Sequence, residues 1–308
     1  MLLKKYNKSF LRQHLLPLEN WSPFPVYSNR QAWDTILKHS WLKRGKRFLI
    51  QEAQKLLNRP WPELKATQYM EFIYTGNRSN YETVYFRRRK NLAILVLAEC
   101  WEGKGRFWGE IINGIWTICE ETTWTLPAHC ERKKLPNREL DPLPDLSKKT
   151  VALFSAETAM ILAETFYLLA EPLNEISPTI TERIKKEIFE RVIIPVEQRN
   201  DFRWLKGMNN WSPWCSFNIL GAALYLLKDQ DRLINLIIKL LKVVDRFIER
   251  YPADGGCDEG PSYWNVAAGA MFGFLELLYS RTNGAINIYQ EKKIKQMGKY
   301  IYHLHLAG

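Results

Sequence analysis

Two short segments hold the residue types able to do chemistry. The first is Gly207-Met-Asn-Asn-Trp-Ser-Pro-Trp-Cys-Ser-Phe-Asn218, where Asn209 and Asn210 set two side-chain amides just before Trp211. Amides donate and accept, so such a pair can aim hydrogen bonds at charge developing on a substrate. Ser212 and Pro213 read as the cap and first residue of a helix starting there. The second segment is Asp254-Gly-Gly-Cys-Asp-Glu-Gly-Pro-Ser-Tyr-Trp264, which packs Asp254, Asp258, Glu259 and Tyr263 into ten residues. Carboxylates and a phenol are proton donors and acceptors. Gly255, Gly256 and Gly260 give the backbone freedom beside them, and Pro261 reads as the opening of a helix running to Tyr279. Each segment also has a plain structural use: asparagines shape turns, and acidic residues before a helix offset its macrodipole.

The elements that must position these segments are helices. Apolar residues recur at three- and four-residue steps over about 30–42, 45–57, 80–101, 105–121, 151–171, 177–200, 212–228, 231–250, 264–280 and 287–303. No run alternates as a strand would. Residues 1–28 read as an extended N-terminal segment, and 122–150, with Pro127, Pro136, Pro142 and Pro144, as a long internal loop. Loops of that length in a compact domain are usually functional or linkers, and with no change of composition across it this one reads as internal. Helices of similar length in antiparallel pairs fit an α/α toroid or an α-solenoid, and without strict sequence repeats the toroid is the better expectation. The expected fold class is therefore all-α, with residues 1–308 as a single, incomplete helical toroid.

Composition narrows the partner. Of 308 residues, 46% are hydrophobic and 25% charged, a balance that excludes intrinsic disorder. The net charge of +11 favours an anionic partner: nucleic acid, a membrane surface or an acidic polysaccharide. No helix-turn-helix, zinc-finger or RNP-type pattern supports nucleic acid, and Gly103-Lys-Gly-Arg-Phe-Trp-Gly109 lacks the dinucleotide spacing. No uninterrupted apolar run reaches the length of a membrane span. Met1–Pro17 has no apolar stretch of the signal-peptide kind. Five cysteines are scattered with no metal-ligand spacing, so neither a metal, a cofactor nor a disulfide framework is expected. Twelve tryptophans, several near helix ends, fit core packing, and they also suit sugar rings, which stack on aromatic faces.

The two opening segments resemble the matching loops of the heparinase II/III family, bacterial lyases of acidic glycans. The likeness extends to Ser22-Pro-Phe-Pro-Val26, Tyr74-Thr-Gly-Asn-Arg-Ser-Asn-Tyr-Glu82, Cys119-Glu-Glu-Thr-Thr-Trp-Thr-Leu-Pro-Ala-His129 and Tyr300-Ile-Tyr-His-Leu-His-Leu-Ala-Gly308. What it implies is β-elimination: a uronate carboxylate is neutralised, the C5 proton is removed and the departing O4 is protonated. By the resemblance Asn210, with Asn209 as second choice, is the neutraliser and Tyr263 the base and then acid. Trp124, His129, Trp211, Glu259, Arg78 and Tyr81 would bind substrate, and Glu121 would help orient it. A phenol ionises near 10, so Tyr263 needs a cationic or hydrogen-bonded setting to act as a base.

The family is exported to the periplasm or beyond, and its C-terminal β-sandwich carries a catalytic histidine. The chain is expected to be the N-terminal part of a longer one, and His303 and His305 do not match that histidine. The implied partner is an acidic polysaccharide, and the oligomeric state stays open. Two other readings remain: a glycoside hydrolase using Asp254, Asp258 and Glu259, and a non-catalytic glycan-binding scaffold.

Overall fold

The computed structural model describes residues 2–137, 140–207 and 209–304, and its regular structure is all helical, with no strand among those residues. In chain order the main helices are α1 (Leu2–Lys5), α2 (Lys8–His14), α3 (Arg30–Leu37), α4 (Leu42–Leu56), α5 (Ala66–Thr75), α6 (Ser79–Glu102), α7 (Trp108–Cys119), α8 (Leu153–Ile176), α9 (Pro178–Ile188), α10 (Ile194–Gln198), α11 (Trp211–Leu226), α12 (Gln230–Arg250), α13 (Ala270–Arg281) and α14 (Lys292–Leu304). They gather into two compact units. A central unit runs from Phe24 to Pro195, and a terminal unit joins the chain up to Pro23 with the chain from Val196 onward.

In the central unit α6 is the main core element. Its buried stripe runs Tyr81, Tyr85, Arg88, Leu92, Leu95 and Glu99, the three- and four-residue spacing of one helix face. Gly103 ends it in the left-handed region, at φ 66°, with its N–H on the Glu99 carbonyl. α8 and α9 pack side by side across the single residue Ser177, and Pro178 opens α9 where no N–H is required. The expected helix over 177–200 holds, with one change of winding. Phe189–Ile193 forms a π-turn just before Pro195, which cannot donate to the carbonyl four residues back, so the ladder widens there. By length and composition α8 is able to cross a membrane, yet 61% of its most apolar window is buried inside the protein, as in a core helix.

Among the described residues, the stretch between α7 and α8 is irregular apart from a 3₁₀ turn at Pro127–His129. It is tied down nonetheless. Thr125 Oγ1 donates to the Thr150 carbonyl at 2.8 Å, and the Glu131 N–H donates to Thr150 Oγ1 at 3.2 Å.

In the terminal unit α12 is strongly amphipathic, burying Leu233, Ile237, Leu240, Val244 and Phe247 among others, with the Asp229 carboxylate capping its start. The sequence reads residues 1–28 as extended, and the structure departs from that at their start. The first residues form α1 and α2, which lie on α12, and the buried Asp245 carboxylate accepts from the Leu2 and Leu3 amides at 2.5 and 3.0 Å. A short helix with one apolar face needs a partner to persist, and sequence periodicity over four to seven residues is too brief to see. Helix α5 was also not anticipated. It buries only Tyr69, so its apolar stripe is faint, and Gly76 at φ 75° is its clearest mark.

Candidate functional site

The terminal unit builds a small polar pocket from the two segments singled out in sequence. Gly207, in the left-handed region at φ 69°, lies against α12. A Cβ there would fall 2.6 Å from Arg246 Cβ and 2.8 Å from the Val243 carbonyl oxygen. That close approach lets the chain turn into α11. Asn209 Oδ1 accepts from the Trp211 N–H at 3.3 Å, and Asn210 is the residue before the helix. Ser212 does not cap it. The helix has already begun at Trp211, and the buried Ser212 hydroxyl donates to the Trp204 carbonyl at 2.6 Å.

The second segment leaves the end of α12 as a tight loop. Asp254 Oδ1 accepts from the Gly256 N–H at 2.9 Å, so this carboxylate is spent on the turn. Gly255, φ 83°, presses on the backbone of Gln296 in α14. Pro261 opens a 3₁₀ turn to Tyr263 rather than a long helix. A π-turn over Asn265–Gly269 follows, and only then α13.

Between the segments lies a hollow of about 130 Å³. Its polar lining is Asn209, Asn210, Arg250, Tyr251, Asp258 and Glu259, with Phe247, Cys257 and Ala267 as apolar ground. A volume of this size admits a carboxylate group or a few waters. Asn210 is 6% exposed, and its amide has no hydrogen-bond partner among the described residues. The Tyr251 hydroxyl is also buried, beside the Cys257 thiol, with no hydrogen bond of good geometry. Burial pushes its ionisation far above the ordinary tyrosine range, so Tyr251 stays protonated and can only donate or accept a neutral hydrogen bond. Buried polar groups left unpaired cost stability and call for a ligand or water. Arg250 adds an exposed cation at the rim, and Asp258 and Glu259 add two exposed carboxylates.

Of the expected site residues, this pocket unites Asn209, Asn210 and Glu259. Trp211 is half-buried in the first turn of α11 and outside the lining. Tyr263 is 50% exposed on the adjoining 3₁₀ turn, also outside it, and its hydroxyl has no hydrogen-bond partner among the described residues. Phe247, Arg250 and Tyr251 were not foreseen. Their sequence mark is Tyr251-Pro252, which ends α12 beside the acidic loop, since a residue before proline leaves the helical region.

The other candidates belong to the central unit. Arg78 is exposed and pairs with Glu82 one turn on, at 2.8 Å. Tyr81 lines a cavity of about 400 Å³, its ring edge-on to Tyr69 at 5.0 Å. Trp124 is not a cleft wall. It is 1% exposed, its Nε1 donates to the Ile118 carbonyl at 2.8 Å and Arg191 covers its ring at 5.0 Å, so no sugar can stack on it. His129 lies parallel to Phe154, centroids 5.8 Å apart, and is held down to about 4 by burial and then by the charge of Arg78. It is therefore neutral at neutral pH.

Glu121 pairs with two cations, and with Arg88 it also lines the cavity that Tyr81 faces. It accepts from Arg88 Nη1 at 3.0 Å and from Arg89 Nη1 and Nη2 at 2.8 and 2.5 Å, all three side chains buried. His303 is exposed on α14, and His305 lies outside the described residues. All five cysteines are free, and no group of three His, Cys, Asp or Glu among the described residues is placed to hold a metal. No protein-family model matches the chain, and no curated protein matches it.

Proposed function

We propose that this chain is the helical, cleft-forming part of a periplasmic or secreted polysaccharide lyase of the heparinase II/III kind, an α/α toroid acting on a uronate glycan. The observation that carries the reading is the pocket that sets the Asn210 amide, without a hydrogen-bond partner among the described residues, beside the buried, unpaired Tyr251 hydroxyl and the exposed Arg250 guanidinium. Three donors around a hollow that admits a carboxylate are what neutralisation of the C5 carboxylate demands. An ionised carboxylate leaves the neighbouring C–H far too weakly acidic, and fixed donors lower the energy of the enolate formed when that proton leaves.

In the elimination, a base takes the C5 proton, the C–H electron pair becomes the C4–C5 double bond, and the C4–O4 bond breaks. The departing O4 keeps its electron pair and gains a proton. Tyr263 is the proposed carrier of both protons, and Asn209 supports Asn210. Trp211 and Glu259 are proposed to contact the rest of the chain of sugars. Asp258 and Glu259 in the same pocket favour a second reading, a hydrolase, although neighbours in sequence are poorly set to flank one glycosidic bond.

The test is incubation with heparan sulfate and with alginate, following ultraviolet absorbance and new reducing ends together. Elimination raises both, because each cut leaves an unsaturated sugar. Asn210→Ala and Tyr263→Phe should abolish the rise. New reducing ends without absorbance would replace the lyase with a hydrolase. Saturable binding that Asn210→Ala weakens, without any cutting, would leave a glycan-binding scaffold.

A further inference from the structure

A second, unrelated cavity in the terminal unit carries a buried cation with no ion pair among the described residues. Arg281, the last residue of α13, is 2% exposed. Its Nε and Nη1 have no hydrogen-bond partner among the described residues, and the ring of Trp21 lies 4.9 Å from the guanidinium carbon. Trp21 is itself anchored, its Nε1 donating to Ser280 Oγ at 2.8 Å, and it stacks on Tyr225 at 5.1 Å. The guanidinium is thus held in place by an aromatic face, which satisfies none of its N–H groups.

The side chain lines a cavity of about 460 Å³, within the range of small-molecule sites. Leu15, Pro17, Leu18, Leu227 and Leu233 supply its apolar walls. The remaining lining groups, Glu19, Lys228 and Gln230, are all exposed. Glu19 makes no ion pair with Arg281. Burial holds the guanidinium down to about 10, the direction of a cation kept from water, and the Glu19 charge offsets only part of that.

We infer that this cavity is a binding site for a small aliphatic carboxylate, its head on Arg281 and its hydrocarbon body against Leu15, Leu18, Leu227 and Leu233. An unpaired buried charge is the most costly group a core can hold, and an anion in hydrogen-bond reach relieves it. The planar fork of Arg281 matches a carboxylate through two parallel hydrogen bonds. Aliphatic walls reward an apolar body and give a bare inorganic anion nothing further to touch. The site is independent of the glycan reading, sharing no residue with the Asn210 pocket.

The experiment is calorimetric titration of the full chain with octanoate, octan-1-ol and inorganic phosphate. Octanoate should bind saturably at one site, with octanol and phosphate each weaker by about tenfold or more, since each lacks one half of the recognition. Arg281→Met should weaken octanoate by about tenfold or more while leaving octanol unchanged. Leu233→Trp, which fills the cavity with Arg281 intact, should abolish octanoate binding and keeps the test open if Arg281→Met does not fold. Equal binding of octanoate and octanol, phosphate binding as tight as octanoate, octanoate binding unaffected by Leu233→Trp, or no saturable octanoate binding up to roughly 10 mM would each overturn the proposal.

Discussion

Replacing Glu121 should unfold the central unit about 10 °C early. Its side chain is 3% exposed, and those of Arg88 and Arg89 are 9% and 6% exposed. Both guanidiniums are otherwise held by neutral groups. Arg88 Nε donates to the Pro62 carbonyl at 2.6 Å, Arg89 Nε donates to Thr158 Oγ1 at 3.1 Å, and the Arg89 guanidinium carbon lies 3.4 Å from the centre of the Tyr85 ring. Two buried cations share one anion, so removing it leaves both uncompensated. Loss of one partner from a buried ion pair costs about 3–5 kcal/mol.

Glu121→Gln keeps one acceptor oxygen and should fall near the lower figure, and Glu121→Ala near the upper. For a unit of this size each kcal/mol lowers the melting temperature by about 2–4 °C, which gives roughly 6–12 °C for Glu121→Gln. Differential scanning calorimetry at neutral pH reads this directly. The loss should persist at high salt, because buried pairs are little screened. Glu121→Leu combined with Arg88→Met and Arg89→Leu should recover most of the stability, since an apolar cluster of similar volume replaces the triad. A Glu121→Gln melting temperature within about 1 °C of the parent would refute the account and return Glu121 to the list of residues free to act on a substrate.

Three further outcomes follow from the same geometry. His129 is neutral in the fold, held down to about 4 from an ordinary 6.5, so the unfolded chain binds more protons between those values. Its contribution is full above about pH 6.5 and lost as pH falls toward 4, amounting to about 1–2 kcal/mol after discounting for its partial exposure. His129→Phe should flatten that part of the stability-against-pH curve measured by urea melts. Asn210→Ala removes an amide with no partner, so it should shift stability by no more than about 0.5 kcal/mol while weakening glycan binding, and a large loss of stability would mean that the amide is structurally engaged. Gly255→Ala adds a Cβ 2.2 Å from the Gln296 carbonyl carbon and should cost more than about 2 kcal/mol. Gly260→Ala, at φ 84° but in open space, should cost less, and equal denaturant midpoints for the two variants would contradict the close approach to α14.

The sequence by itself determined the helical class and most of the long helices. Where a helix buries a full stripe, as α6 does from Tyr81 to Glu99 or α12 from Leu233 to Phe247, the period is written in residue order. It also drew attention to both loops of the small pocket, because amides, acids and glycines at helix entrances are legible locally. It did not reveal α1, α2 or α5, whose formation depends on a neighbour more than on their own few residues.

Only the tertiary structure decided which side chains share a cavity and which are consumed by packing. It set Arg250 and Tyr251 beside Asn210, kept Tyr263 half-exposed outside that lining, buried Trp124 under Arg191, and enclosed Glu121 between two arginines. The physical reason is common to all four. Residue type fixes what a group can do, but its solvation and its partners come from segments distant in sequence, and those decide whether a charge or an amide is available or already engaged.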